Sequence, residues 1–302
     1  MDAEWKQEGD VLPPSSAGEP DSVRAWQPWA LEQEDGTLRL WYSGHDGTTG
    51  RILEAVQRPG EPWRRVGVAI DAGLAGDSDR YGVESPSVIQ VGDGGYVMAY
   101  CGFDGERSRL HLATSADGHR WTTRGTAMHP DDDDTLAGST PCLAVRGEEW
   151  WLYYSGSDGS DGSGSVSSDA GRPSSILAAV SQSGDSWDPI GPVLQPEPGE
   201  LAVTHPCVVE ITRRVYMFYA SENEEAGSIA LATSPDGVEW TRRGIVLSAG
   251  DDIHASALSA PCILRLRDGS LRMWYSRRPW GDDQLAYSIC SATFPGPWPG
   301  AI

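Results

Sequence analysis

The sequence predicts an all-β protein, a five-bladed β-propeller with four antiparallel strands in each blade. Three observations carry that prediction. The pattern Trp-x3-Gly-x2-apolar is written five times, as WKQEGDVL from Trp5, WRRVGVAI from Trp63, WTTRGTAM from Trp121, WDPIGPVL from Trp187 and WTRRGIVL from Trp240. A proline at Pro28, Pro86, Pro141, Pro206 and Pro261 keeps the same period, as does a tyrosine-centred segment: LWYSG, MAYCG, LYYSG, MFYAS and MWYSR. Finally, 36 glycines and 21 prolines in 302 residues cut the chain into short pieces, and no stretch shows helical periodicity.

The elements follow in order within each repeat. The proline strand is placed innermost, the tyrosine strand second, a short apolar segment such as LHLATS or IALATS third, and the tryptophan strand outermost. Glycine-containing turns such as SPDG lead into the tryptophan. Asp46, Asp104 and Asp158 recur after the tyrosine strand and read as turn residues. The repeated tryptophans read as wedges between blades.

The first tryptophan strand stands alone at the start of the chain. The last repeat, from Pro261, runs to LAYSICSATF and has no matching tryptophan strand, since WPGAI departs from the pattern. Residues 1–12 are therefore expected to supply the outer strand of blade five and close the ring, which removes exposed sheet edges. Residues 1–302 then form one domain. The segment 155–174, rich in Gly, Ser and Asp, is read as a flexible insertion in blade three.

Charge narrows the choice of partners. Lys plus Arg is 23 and Asp plus Glu is 44, a formal net charge of −21. Such a surface repels phosphate backbones and anionic lipid, so a small molecule is expected as the partner, and neither nucleic acid nor a membrane. Lys6 is the single lysine, which excludes Schiff-base and phosphate-loop chemistry. Five cysteines without paired spacing and an acidic, polar N-terminus point to a cytoplasmic protein. No cofactor and no metal are expected. Cys142, Cys207 and Cys262 each follow an inner-strand proline and read as small packing residues. The aspartate run 131–134 lacks the glycine spacing of a calcium loop and reads as a solvated turn.

With ESPSVI, MWYS and ATSPDGVEW in view, the chain resembles the five-bladed propellers of glycoside hydrolase family 43 and the related invertase and levansucrase families. That resemblance implies a substrate in the central funnel and three carboxylates on inner strands. Two would be Asp directly before the inner-strand proline, and the third a Glu two residues before a proline. Here the residues before the prolines are Gln27, Ser85, Thr140, His205 and Ala260, and none is Asp. Glu84, in ESP, matches the general-acid position.

What one repeat alone possesses is the better guide to function. Glu84 and His205 stand out on that test and are expected to act as a general acid and its partner. Substrate contacts are expected from Trp26, Gln27, Trp29, Thr140, Arg278 and Trp280, with flat aromatic faces suited to sugars. The loops entering the inner strands add Asp79, Arg80, Asp252 and His254, and also carry Asp21 and Arg24. Arg277 and Arg278 would neutralise an acidic group on a substrate. The leading expectation is a glycosidase-like enzyme using acid–base chemistry on a sugar or sugar-like molecule. A biosynthetic cyclase, dehydratase or isomerase on the same scaffold, and a non-catalytic binding propeller, are the alternatives.

Overall fold

The computed structural model describes residues 4–92, 94–127, 139–156, 174–211, 214–249, 255–279 and 286–294. They form an all-β structure of twenty strands, and no helix among them is long and apolar enough to cross a membrane. The insertion expected at 155–174 and the aspartate run fall almost wholly outside the described residues.

The strands pair antiparallel in groups of four. After β1 (Lys6–Leu12), the first group is β2 (Arg24–Glu32), β3 (Leu38–His45), β4 (Gly50–Gln57) and β5 (Arg64–Ile70). The second is β6 (Gly82–Val91), β7 (Gly95–Phe103), β8 (Ser108–Ser115) and β9 (Thr122–Thr126). The third is β10 (Ser139–Arg146), β11 (Glu149–Gly156), β12 (Ser175–Ser181) and β13 (Asp188–Leu194). The fourth is β14 (Ala202–Ile211), β15 (Arg214–Glu222), β16 (Gly227–Ser234) and β17 (Thr241–Ser248). The last holds β18 (Ala255–Arg265), β19 (Leu271–Pro279) and β20 (Ser288–Phe294), and β1 pairs with β20 as its fourth strand. Single parallel bridges join the first two groups, at Gly50–Gly82, and the last two, at Gly227–Ala257. Backbone pairing thus yields three separate sheets.

The glycine of the tryptophan repeat has a backbone cause. Gly9, Gly67, Gly125, Gly191 and Gly244 all have φ between 82° and 145°, at or beside register slips in the outer strand. A Cβ at any of them would meet nothing within 4 Å, so the left-handed conformation, and not lack of space, demands glycine. The tryptophans lie just ahead of these strands and pack on the preceding group. Trp121 meets Trp41 edge-on at 6.1 Å, Trp240 meets Tyr153 at 6.1 Å, Trp5 meets Phe218 at 6.1 Å and Trp63 meets Trp274 at 6.2 Å. Trp187 is buried with Ala99, Leu110 and Leu112 of the second group. They are wedges, as the repeat implied.

Two of the three turn aspartates, Asp46 and Asp104, behave as expected, and Asp158 lies outside the described residues. Asp46 accepts the Thr48 and Thr49 N–H groups and pairs with Arg51, and the Thr49 bond foremost holds its carboxyl at about 2. Asp104 does the same with Glu106, Arg107 and Arg109.

Candidate functional site

The site grows out of one backbone device used five times. The residues before the inner-strand prolines all take left-handed conformations: Gln27 at φ 52°, Ser85 at 56°, Thr140 at 48°, His205 at 53° and Ala260 at 49°. An L-residue pays about 1 kcal/mol or more for such a backbone, so something must hold it there. Strand register slips at each of these points, for example between Glu84 and Ser87 and between Thr204 and Cys207. Each is a bulge that re-aims a side chain, and proline sits in it without wasting an N–H.

Neighbouring groups anchor the bulges. The N–H of Gln27 donates to Ser276 Oγ at 2.8 Å, that of Ser85 to Ser43 Oγ at 2.8 Å, and that of His205 to Ser155 Oγ at 3.0 Å. This explains the serine of the WYS and YYS segments. One step past the proline a second set of bonds links the groups. Leu143 N–H donates to Ser87 Oγ, while Val208, Ile263 and Ala30 N–H donate to the sulfurs of Cys142, Cys207 and Cys262 at 3.2 to 3.3 Å. In the first group Trp29 occupies the matching place, and its Nε1 donates to Val88 O at 2.7 Å. The three thiols are therefore acceptors for strand N–H groups as well as packing residues, and burial pushes Cys142 and Cys262 well up.

Around this frame lies a pocket of about 30 Å3, lined by the five bulge residues, their prolines and Trp29. It has room for little more than a water. The Gln27 amide is fixed by its contacts. Its Oε1 accepts from Ser43 Oγ at 2.7 Å and from Ser85 N–H at 3.1 Å, which leaves Nε2 facing His205 Nε2 at 3.4 Å. His205 Nδ1 lies 2.9 Å from Thr204 Oγ1. The neutral tautomer that donates from Nδ1 and accepts at Nε2 satisfies both contacts. Burial lowers the His205 pKa to about 4, in keeping with that neutral ring.

Thr140 Oγ1 bonds Ser155 Oγ at 2.5 Å. Ser85 Oγ is enclosed and has no hydrogen-bond partner. Glu84, half-buried, precedes it on β6, and burial raises its carboxyl above the usual range while the Arg24 charge opposes that rise.

The strand ends above the bulges carry the groups that differ from repeat to repeat. Arg24 pairs in register with His45, Ala202 with Glu222, and Ala257 with Arg278. Arg24 lies over the Trp26 ring at 5.9 Å. Arg278 donates from Nε to Ser256 Oγ at 2.9 Å, and its charge tempers the burial that raises Glu222. Tyr287, between the last group and the first, receives the Ala25 N–H on its carbonyl and feels Arg278, Glu222 and Arg24.

Several expectations need revision against this geometry. Trp29 was expected to contact substrate from a funnel wall; it lies across the floor and also lines a second, apolar cavity of about 230 Å3 on the far side. Asp79 was expected to face substrate; it is 7% exposed, and its carboxylate accepts the Tyr100 hydroxyl at 3.2 Å beside His111. Its position repeats that of Asp21, which clamps Tyr42 and Arg65. Arg80 is exposed over the Tyr81 ring at 5.0 Å. His205 lines the pocket as expected, but a neutral ring with its lone pair engaged is poorly suited to exchange protons at neutral pH. Asp252, His254 and Trp280 lie outside the described residues. Glu222 and Tyr287 were missed. Glu222 stands at the second position of the Gly-x-Asp-Gly turn of the first three repeats, which hold His45, Phe103 and Ser157 there, so departure from the repeat was the available signal.

Comparison with known proteins fits this frame. A structure titled "Glycoside hydrolase" superposes with a TM-score of 0.76 at 16% identity, over 97% of this chain and 93% of that one. A putative glycoside hydrolase from Parabacteroides distasonis ATCC 8503 gives 0.75 at 16%, over 98% and 97%. A thermostable family-43 glycoside hydrolase gives 0.71 at 17%, over 90% and 91%. Identities this low speak for the fold alone. An uncharacterized protein of Mycobacterium tuberculosis (strain CDC 1551 / Oshkosh), MT1551, is 29% identical over 158 residues, which is 48% of this chain and 51% of that relative. The match thus spans about half the length of that protein. Residues 100–266, more than half of the chain, match the model of the glycosyl hydrolases family 32 N-terminal domain, and the protein belongs to that family.

Proposed function

We propose that the protein is a glycosidase-like enzyme that uses acid–base chemistry on a sugar or sugar-like small molecule, with Glu84 as proton donor. The observation that carries this reading is the placement of Glu84. It sits at the bulge of β6, next to the pocket-lining Ser85, where burial raises its carboxyl above the usual range and so shifts it toward the protonated acid. A carboxylic acid held protonated beside a polar floor is what leaving-group protonation needs. Glu222, raised in the same way, is the second carboxyl of this face. His205 and Gln27 act as fixed hydrogen-bonding groups of the floor.

The reading takes the four-strand groups as five blades of one ring formed by the whole chain, residues 1–302, with residues 1–12 completing the fifth. Bonds from the last group to the first support it: Cys262 Sγ accepts from Ala30, Ser276 Oγ from Gln27, and Tyr287 O from Ala25. Buried free thiols at Cys101, Cys142, Cys207, Cys262 and Cys290 suit a cytoplasmic setting. A second reading, a cyclase, dehydratase or isomerase needing one acid, draws support from the lack of a carboxylate at all five bulge positions.

The test is turnover of aryl glycosides across pH by wild type and Glu84→Gln. Loss of about 100-fold or more in kcat/KM with unchanged melting is expected, the ordinary scale for a general acid. The wild-type rate should fall as pH rises through the raised Glu84 pKa. Full activity in the variant would remove Glu84 from the chemistry. No turnover by folded wild type would move the reading to the single-acid enzymes.

A further inference from the structure

The Arg24 guanidinium has no partner of its own. Its Nε is buried without a hydrogen bond, and no hydrogen bond or ion pair joins the guanidinium to any described residue. It lies over the face of Trp26, itself 9% exposed, and its charge is felt by Glu84 without a bond to that carboxyl. An arginine is an expensive group to leave half-enclosed with its donors unfilled. It is also an unusual one here, since this chain carries 44 acidic residues and 23 basic ones. Seven other arginines, Arg39, Arg51, Arg65, Arg109, Arg242, Arg272 and Arg277, each hold a carboxylate at 3.3 Å or less.

Both arginines, Arg24 and Arg278, act on the Tyr287 phenol, which brings a second cation close to Arg24 in a strongly anionic protein.

We propose that the ligand of this pocket is a sugar acid, whose carboxylate docks on Arg24 along the Trp26 face. This rests on the sugar-binding reading above and names the class of sugar. A planar guanidinium with free donors matches a carboxylate two bonds at a time, which a neutral sugar does not offer. Without a local cation, the net charge of −21 would hold such an anion away.

The experiment is calorimetric titration of the full chain with D-glucuronate, D-galacturonate, D-glucose, D-galactose and glucose 6-phosphate, on wild type, Arg24→Gln and Arg24→Lys. Each uronate is expected to bind about tenfold or more tighter than its neutral sugar, the ordinary gain from charge-assisted bonds. That ratio should fall to near one in Arg24→Gln and be partly kept in Arg24→Lys, with melting temperatures unchanged. If Arg24→Gln does not fold, the wild-type ratio decides alone. Equal binding of uronates and neutral sugars overturns the acidic ligand and leaves the sugar reading standing. Tighter binding of glucose 6-phosphate than of either uronate overturns the carboxylate. A ratio that persists in Arg24→Gln overturns the role of Arg24. Binding of none of the five overturns this proposal, and absence of aryl glycoside turnover as well would overturn the reading beneath it.

Discussion

The inner strands build one cavity on each side of the Trp29 indole, and the two cavities are unlike. On one side the lining is Gln27, Ser85, Thr140, His205 and Ala260, five different residues at one repeated position. On the other it is Ala30, Val88, Leu143, Val208 and Ile263, an apolar residue from every repeat, with Arg146 and Glu210 also on the lining. The bulge at each proline marks the change. Beyond it, side chains pack and must resemble one another; before it, they meet open space and are free to differ. The difference teaches where to look for chemistry in a repeat protein: at positions where the backbone repeats and the side chain does not.

The comparison can be broken most severely at Trp29. Trp29→Ala joins the two cavities, removes the bond to Val88 O and opens a void, so a loss of about 3 kcal/mol is expected from the urea midpoint. An unchanged midpoint would mean that the indole is not what divides the channel.

A smaller effect sharpens the polar side. His205 titrates at about 4 when folded, against about 6.5 unfolded, because burial disfavours the imidazolium. Between those values the unfolded chain binds more protons, so stability falls as pH drops from 6.5 toward 4 and is level above about 7. Wild type should lose roughly 2 kcal/mol more than His205→Gln between pH 7 and pH 4 in urea melts. Parallel losses would place the imidazole in water.

The smallest effect concerns the frame itself. Ala260→Gly relieves a left-handed alanine and adds chain entropy to the unfolded state, for a net gain of about 0.5 kcal/mol in the same assay. A loss would show that the bulge is not strained there.

The repeat made much of this legible. Strand order, the pairing of the first strand with the last, and the tryptophan wedges all follow from a period that the sequence writes openly, since each mark answers a packing need shared by every group. Glu84, Gln27, Thr140 and His205 were found because they interrupt that period at the proline. Glu222 was passed over although it too departs from the repeat, and Tyr287 was not found because its place depends on a backbone bond to Ala25 that has no mark in the sequence. Asp79 and Trp29 were misjudged for a related reason. Residue type and loop position suggested exposure, whereas burial beneath Tyr100 and across the axis is a property of packing alone.

The five left-handed positions have a further consequence. Amide, hydroxyl, imidazole and methyl side chains occupy them with φ values that differ by no more than 8°. The hydroxyls that neighbouring groups offer to three of the five amides help to hold the geometry, against the extended backbone that a following proline favours. The side chain at the position contributes little to holding it. These positions are therefore interchangeable seats around one pocket. A side chain of one kind can replace another there, and the backbone keeps its shape while the chemistry it offers changes.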